Sequence, residues 1–413
     1  MFGSTGSEVE LGRKKERDSR REHTNLHGMA TRSKTMFASR RLAAKIPETG
    51  SICRQCARRY ASSQVEQPAS SYLTAEEIAR SRRYCMDMLR KSDTPSSLLL
   101  PYIPAHARDA YIALRAFNIE IARTADTTST PTIGAMRLQF HRDAVSKALS
   151  GQPPKQPIAI LLAKAAEDIA HKSEGRGKWS KSWFMRIIDT REKYLSNPPY
   201  PSMSALESYA ENTYSTLMYL TLQSLPMASL TADHVASHIG KATGIAAVLR
   251  GFPLLAFPGP PNKHSNQGQM AGDVGAKRQG AVMLPLDVMA EAGLREEDVL
   301  RNGSNAHGLR DAVFTVATRA NDHLITARQM LANVRAGQEA DHEFEHQNEA
   351  EHVYLPAKGA KSETQAQEVE RAFGVFMPAI ATQLWLDRLE KADFDIFSPV
   401  SYTHLTLPTK RIV

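Results

Sequence analysis

Hydrophobic residues recur along most of this chain at intervals of three and four, the spacing that lines one face of an α-helix. The pattern opens at Thr74-Ala-Glu-Glu77, a capping-box sequence ahead of an apolar stripe through Ile78, Cys85 and Leu89. Leu98-Leu99-Leu100-Pro101 then turns the chain. Pro104 begins a helix predicted to run to about Asp126, with Ala110, Leu114, Phe117 and Ile121 on one stripe. Pro131 begins another that runs to about Leu149, and Pro157 opens a strongly apolar one to about Ala170. The same spacing predicts helices over 181–195, 204–225, 231–249, 287–299 and 309–334. Pro253 is expected to end the helix before it, because its ring clashes with the preceding turn and it lacks an N–H. Strand-like alternation is nearly absent, so the body is expected to be all-α. No apolar run approaches the roughly 18 residues that would suggest a membrane span.

Two stretches interrupt the pattern. Residues 258–279 are rich in Pro, Gly, Asn and Gln and read as a loop. Residues 337–364 are charged and polar. His342, His346 and His352 lie there among glutamates, but no apolar frame would hold them as metal ligands, so the segment reads as a solvated acidic loop. Residues 401–413 depart abruptly from what precedes them and are read as an atypical tail without a function.

The charge is unevenly placed. Of 52 basic and 44 acidic residues, 14 and 7 fall within residues 1–66, which leaves 38 and 37 for the rest. A nearly neutral body does not support a nucleic-acid partner. Within residues 29–64 the only acid is Glu48, while Arg, Ser and Ala are abundant. Residues 36–45 can form a basic amphipathic helix, and Arg58-Arg-Tyr-Ala-Ser-Ser63 suits a processing site cut after Tyr60 or Ala61. This is the composition of a mitochondrial presequence, with Met29 or Met36 as alternative starts. Residues 1–66 are therefore assigned to an N-terminal extension and presequence, 72–400 to one helical domain and 401–413 to the tail. The three cysteines imply no disulfide framework: Cys53 and Cys56 read as an incidental pair, Cys85 as core.

The stretch from His238 to Leu255 organises the chemistry. Ile239, Ala242, Ala246 and Leu249 share a face, with Gly240, Gly244 and Ala247 among them. Small side chains there permit close helix approach or leave a cavity unfilled. Ala247-Val-Leu-Arg250-Gly251 resembles the Asn-Ile-Leu-Arg-Asp segment of the squalene/phytoene synthase family. Ala116-Phe-Asn118, Tyr209-Ala-Glu-Asn-Thr-Tyr214 and Val282-Met-Leu-Pro-Leu-Asp287 resemble further family segments in the same order. The resemblance covers roughly residues 72–400. It implies an isoprenoid-synthase-like helical bundle around a central cavity.

Family enzymes hold Mg²⁺ against a prenyl diphosphate with paired carboxylates. The resemblance puts those positions at Ala122, Asp126, Gly251 and Leu255, so three of the four have no oxygen donor. Arg123 stands where a further acid is common. Asp126 alone is read as a surface or helix-end carboxylate. The expectation is therefore no catalytic, cofactor or metal residue and no cofactor. Asn118, Tyr209, Tyr214, Gly244 and Arg250 are candidate cavity-lining residues. Together with Asp233-His-Val-Ala-Ser-His238 and Asp393-Phe-Asp-Ile-Phe397, these segments look most like the branch of the family that assists assembly of mitochondrial complex I. That resemblance implies a non-enzymatic factor on the matrix side of the inner membrane. Its partners would be complex I assembly intermediates or subunits, with peripheral membrane contact and a lipid or prenyl molecule as candidate ligand. The alternatives are an active head-to-head prenyl transferase and a lipid or quinone carrier.

Overall fold

The computed structural model describes residues 73–128, 130–174, 177–225, 227, 229–258, 280–338 and 364–399. The presequence, Cys53, Cys56, the histidines at 342, 346 and 352, and the tail lie outside them. The described residues are helical, with no strand among them.

α1 spans Ala75–Ser92 and opens with the anticipated capping box, Thr74 and Glu77 satisfying each other's backbone N–H groups. α2 is Thr94–Leu99. α3 covers Arg108–Ala122 and buries Ala110, Leu114, Phe117 and Ile121. The single helix predicted to Asp126 is not formed. It stops at Arg123, and a short α4, Thr124–Thr127, carries Asp126. Threonine hydroxyls explain the break: Thr124 and Thr128 each donate to the carbonyl four residues back, in competition with regular helix continuation. α5 (Pro131–Leu149), α6 (Pro157–Lys172) and α7 (Lys181–Lys193) follow as predicted.

The helix predicted over 204–225 is in three parts: α8 (Met203–Ala210), a π-helical turn (Glu211–Ser215) and α9 (Thr216–Gln223). Polar residues occupy the turn. Glu211 accepts from Tyr219 Oη at 2.5 Å and from Ser237 Oγ at 2.9 Å, and Ser215 Oγ donates to the Ser237 carbonyl at 2.9 Å. These bonds tie the irregular turn to the next helix.

That helix, α10, runs Leu230–Ala256 and contains Pro253. The expected stop at Pro253 is wrong. Phe252 and Ala256 are buried on either side of it, and Phe257 N–H donates to the Pro253 carbonyl at 3.1 Å, so packing carries the last turn past the proline. α10 also meets the length and hydropathy of a membrane span, which the sequence reading did not anticipate. Its place is the middle of the bundle, against α8, the π turn and α9, and against two helices still to come. A core helix passes the same test.

The predicted 287–299 helix is two, α11 (Leu286–Glu291) and α12 (Glu296–Asn302), separated at Gly293, whose φ is +64°. α13 is Leu309–Arg335, and α14 (Gln365–Arg371), α15 (Phe373–Phe376) and α16 (Pro378–Lys391) close the bundle. α10 packs on α13 and α16. Two hydrophobic clusters share α10. One gathers α1, α3, α6, α7 and α9 on its N-terminal half; the other gathers residues 282–324 and α16 on its C-terminal half.

Candidate functional site

A cavity of about 480 Å³ lies beside the C-terminal part of α10. Ala122 and Asp126 line it from α3 and α4, and Gly251 and Leu255 from α10. The four positions that the family resemblance assigns to metal-binding acids therefore border one space. A Cβ built on Gly251 would meet nothing within 4 Å, so that position opens into the void. Tyr209 and Tyr214 line the same cavity.

The other candidate lining residues do not. α3 reaches the cavity only with its last residues, Ile121 and Ala122, and Asn118 lies a turn earlier, half-buried. Gly244 faces a different neighbour. A Cβ there would stand 2.6 Å from Ala210 Cβ and 2.9 Å from Ala210 Cα, so this glycine permits α8 and α10 to touch. Arg250 turns toward α16, its guanidinium 5.5 Å from the Trp385 ring centroid.

Sequence reasoning missed a polar group in the lining. Arg191 from α7 and Tyr194 and Tyr200 from the chain after it also border the cavity. Tyr194, Tyr200 and Tyr209 pack ring to ring, with centroids 4.8 to 5.4 Å apart. Arg191 Nη1 donates to Tyr209 Oη at 2.5 Å, and its guanidinium lies over the rings of Tyr209 and Tyr214. Burial raises the pKa of all three packed phenols, so they remain neutral donors and acceptors. Burial also opposes the charge on Arg191, but the tyrosine oxygens favour it, and arginine stays a cation.

This donor set does not fit the Mg²⁺ that the family resemblance implies. A hard cation takes oxygen ligands. Asp126 is the one carboxylate lining the cavity among the described residues, and Arg191 adds a like charge. No group of three metal-capable side chains occurs among the described residues. The signal for Arg191 was hidden because it sits in Asp189-Thr-Arg191-Glu-Lys193, which reads as a solvated helix face.

A larger groove, about 890 Å³, runs between α13 and α14–α16, walled by Leu324, Leu331, Phe373, Phe376 and Ile380. The motif positions and the Arg191 cation meet in the smaller cavity, and that convergence makes it the candidate site. A separate polar seam holds the helices together nearby. Glu207 of α8 lies 2.5 Å from Arg319 Nε and 2.8 Å from His323 Nε2, and His323 Nδ1 is 3.0 Å from His238 Nδ1 of α10. Burial would raise the Glu207 carboxyl pKa, but the bonds to His323 and Arg319 outweigh it and hold it at about 2.

A helical bundle around a cavity bordered by paired, four-residue-spaced positions defines the class. Residues 89–410 match the squalene/phytoene synthase family, and the chain belongs to it. The fold is similar to that of the squalene synthase HpnC from Alicyclobacillus acidocaldarius, with a TM-score of 0.54 and 12% identity over 78% of this chain and 97% of that one. It is likewise similar to a dehydrosqualene synthase in complex with a ligand, with a TM-score of 0.52 and 14% identity over 78% and 90%. At such identities the likeness concerns the fold.

Sequence relatives are more specific. The Mus musculus protein named NADH dehydrogenase (ubiquinone) complex I, assembly factor 6 is 37% identical over 322 residues, 78% of each chain. The Homo sapiens protein of that name is 35% identical over 316 residues, 76% of each. A Drosophila melanogaster homolog is 30% identical over 326 residues, 78% of this chain and 79% of that one.

Proposed function

We propose that this chain is a non-catalytic assembly factor for respiratory complex I, working in the mitochondrion on the matrix side of the inner membrane. The observation that carries the reading is the convergence of Ala122, Asp126, Gly251 and Leu255 on one cavity with a single carboxylate among them. Head-to-head prenyl transfer needs metal-bound diphosphate and stabilisation of departing pyrophosphate. The cavity keeps the scaffold for that chemistry without its ligands. The relatives named complex I assembly factor 6 support the role, and the basic, nearly acid-free residues 29–64 support import. On this reading residues 1–66 are removed or remain as an extension, the domain at 72–400 acts, and contact with the membrane is peripheral.

Two measurements test it. In cells lacking their own copy, the chain should restore assembled complex I on native gels. Purified protein with Mg²⁺ and farnesyl diphosphate should release no pyrophosphate at enzymatic rates. Turnover in the second assay, or an unchanged complex I in the first, overturns the reading. The mature protein recovered from mitochondria should begin near Ala61 or Ser62.

A further inference from the structure

Arg191 is a half-buried cation lining the candidate cavity, and its electrostatic surroundings are incomplete. A buried charge is costly unless it is paired or fully hydrogen-bonded. Arg191 Nε is buried and makes no hydrogen bond. The contacts of the guanidinium are the hydroxyls and rings of Tyr209 and Tyr214, none of them a carboxylate. No carboxylate pairs with it among the described residues. The two acids beside it on α7 are engaged elsewhere: Arg142 of α5 bonds Asp189 at 2.6 Å and also holds Glu192. The helix thus presents its cation to the cavity while its anions are taken up on another side.

The surroundings of this cation suit an anionic ligand. A guanidinium offers planar N–H donors that match the oxygens of a phosphate, and phenol hydroxyls supply further donors. Part of the lining is apolar: Val248, Leu254, Leu255 and Met283 border the cavity, and Leu254 is 71% exposed. Gly251 leaves open space at the same cavity. We propose that this cavity binds a phosphate-type oxyanion directly on the Arg191 guanidinium, without a divalent cation. Where the family resemblance implies metal ions between protein carboxylates and a phosphorylated ligand, this chain carries a fixed positive charge of its own. The anion is either the head of an amphipathic phosphomonoester, whose chain lies along the apolar part of the lining, or free phosphate. Asp126 lines the same space and opposes the ligand's charge, so its removal should tighten binding.

The inference goes beyond the assembly role and is read on purified protein, so either can fail without the other. Thermal unfolding of the full chain in EDTA is followed with three probes: decyl phosphate below its micelle concentration, inorganic phosphate, and decanol as the uncharged control. Decyl phosphate should raise Tm by roughly 5 °C at saturation, and decanol should not. An equal shift with inorganic phosphate assigns the site to the free ion; a shift with decyl phosphate alone assigns it to an amphipathic headgroup. Arg191→Gln should abolish the shift, Arg191→Lys retain part of it, and Asp126→Ala enlarge it. If Arg191→Gln does not fold, Gly251→Trp, which fills the open side of the cavity, must abolish the shift instead. No shift with either phosphate in EDTA, a shift that requires Mg²⁺, or one that survives Arg191→Gln or Gly251→Trp overturns the proposal.

Discussion

Two stretches of α10 carry small residues for opposite reasons. Gly240 and Gly244 lie one turn apart and face closed contacts. A Cβ on Gly240 would run into the Ser215 backbone, and one on Gly244 into Ala210. Gly251, two turns further on, faces empty space, and Leu255 lines the same void. In the first stretch, glycine is required because another backbone occupies the volume that a side chain would take. In the second, the volume is free and a larger residue fits. The comparison shows that only the first pair serves the packing of the fold. The second pair marks a space that the fold leaves open, with Arg191 and the tyrosines on its other walls.

The strongest way to break the comparison is Gly244→Leu. It should destabilise the domain by about 3 kcal/mol or more, at the upper end of overpacking, because the nearest atoms it meets, Ala210 Cβ and Cα, are fixed to the neighbouring helix and cannot rotate away. Urea denaturation reads this, and a loss below 1 kcal/mol would mean that the helices separate easily. Gly251→Leu should cost less than 1 kcal/mol in the same assay.

The closed half of α10 also joins, through His238, the seam that Glu207 of α8 forms with His323 of α13, and this gives a pH signature. The folded-state pKa of Glu207 is depressed from 4.5 to about 2. Its stabilisation is therefore fully present above pH 4.5 and is lost as pH falls from there toward 2. Glu207→Gln should lower stability at pH 7 by about 2 kcal/mol and flatten the stability profile across that window. A profile that keeps the wild-type slope would show that other carboxylates set it.

A triple variant sharpens the contrast on the open side. Ala122→Asp, Gly251→Asp and Leu255→Asp together, with Asp126 retained, place four carboxylates around one cavity. Without metal they repel one another and should lower Tm; Mg²⁺ with pyrophosphate should then restore about 1–3 kcal/mol by binding the folded state. No turnover is expected, because ligands without supporting hydrogen bonds are poorly oriented. Absence of any Mg²⁺-dependent shift in a folded variant would mean that the two walls do not face each other. The smallest effect belongs to Asp126→Ala, which should stay within about 0.5 kcal/mol of wild type and leave complex I assembly intact. A loss of assembly at normal protein abundance would assign that carboxylate a role in the partner interaction.

Much of the architecture was legible in the residues alone. The capping box at Thr74, the prolines opening α5 and α6, and the apolar stripes of α3 and α13 are local signals, and local signals determine where helices begin and which face they bury. The absence of three acids at Ala122, Gly251 and Leu255 was visible once the family resemblance set the frame, since it then needs only a residue type. What the chain did with Pro253, with Glu211–Ser215 and with the Arg123 break was decided by neighbours. Phe252 and Ala256 pack on both sides of the proline, and Ser215 and Glu211 bond across to α10. The same holds for Arg191. In sequence it stands between acids on an ordinary charged helix, and only the placement of α7 against Tyr209 and Tyr214 makes it the cation of a cavity. Periodicity reports which face of a helix is buried. Which side chains meet across a space depends on how separate helices pack, and in this cavity Ala122 and Gly251 meet from positions 129 residues apart along the chain.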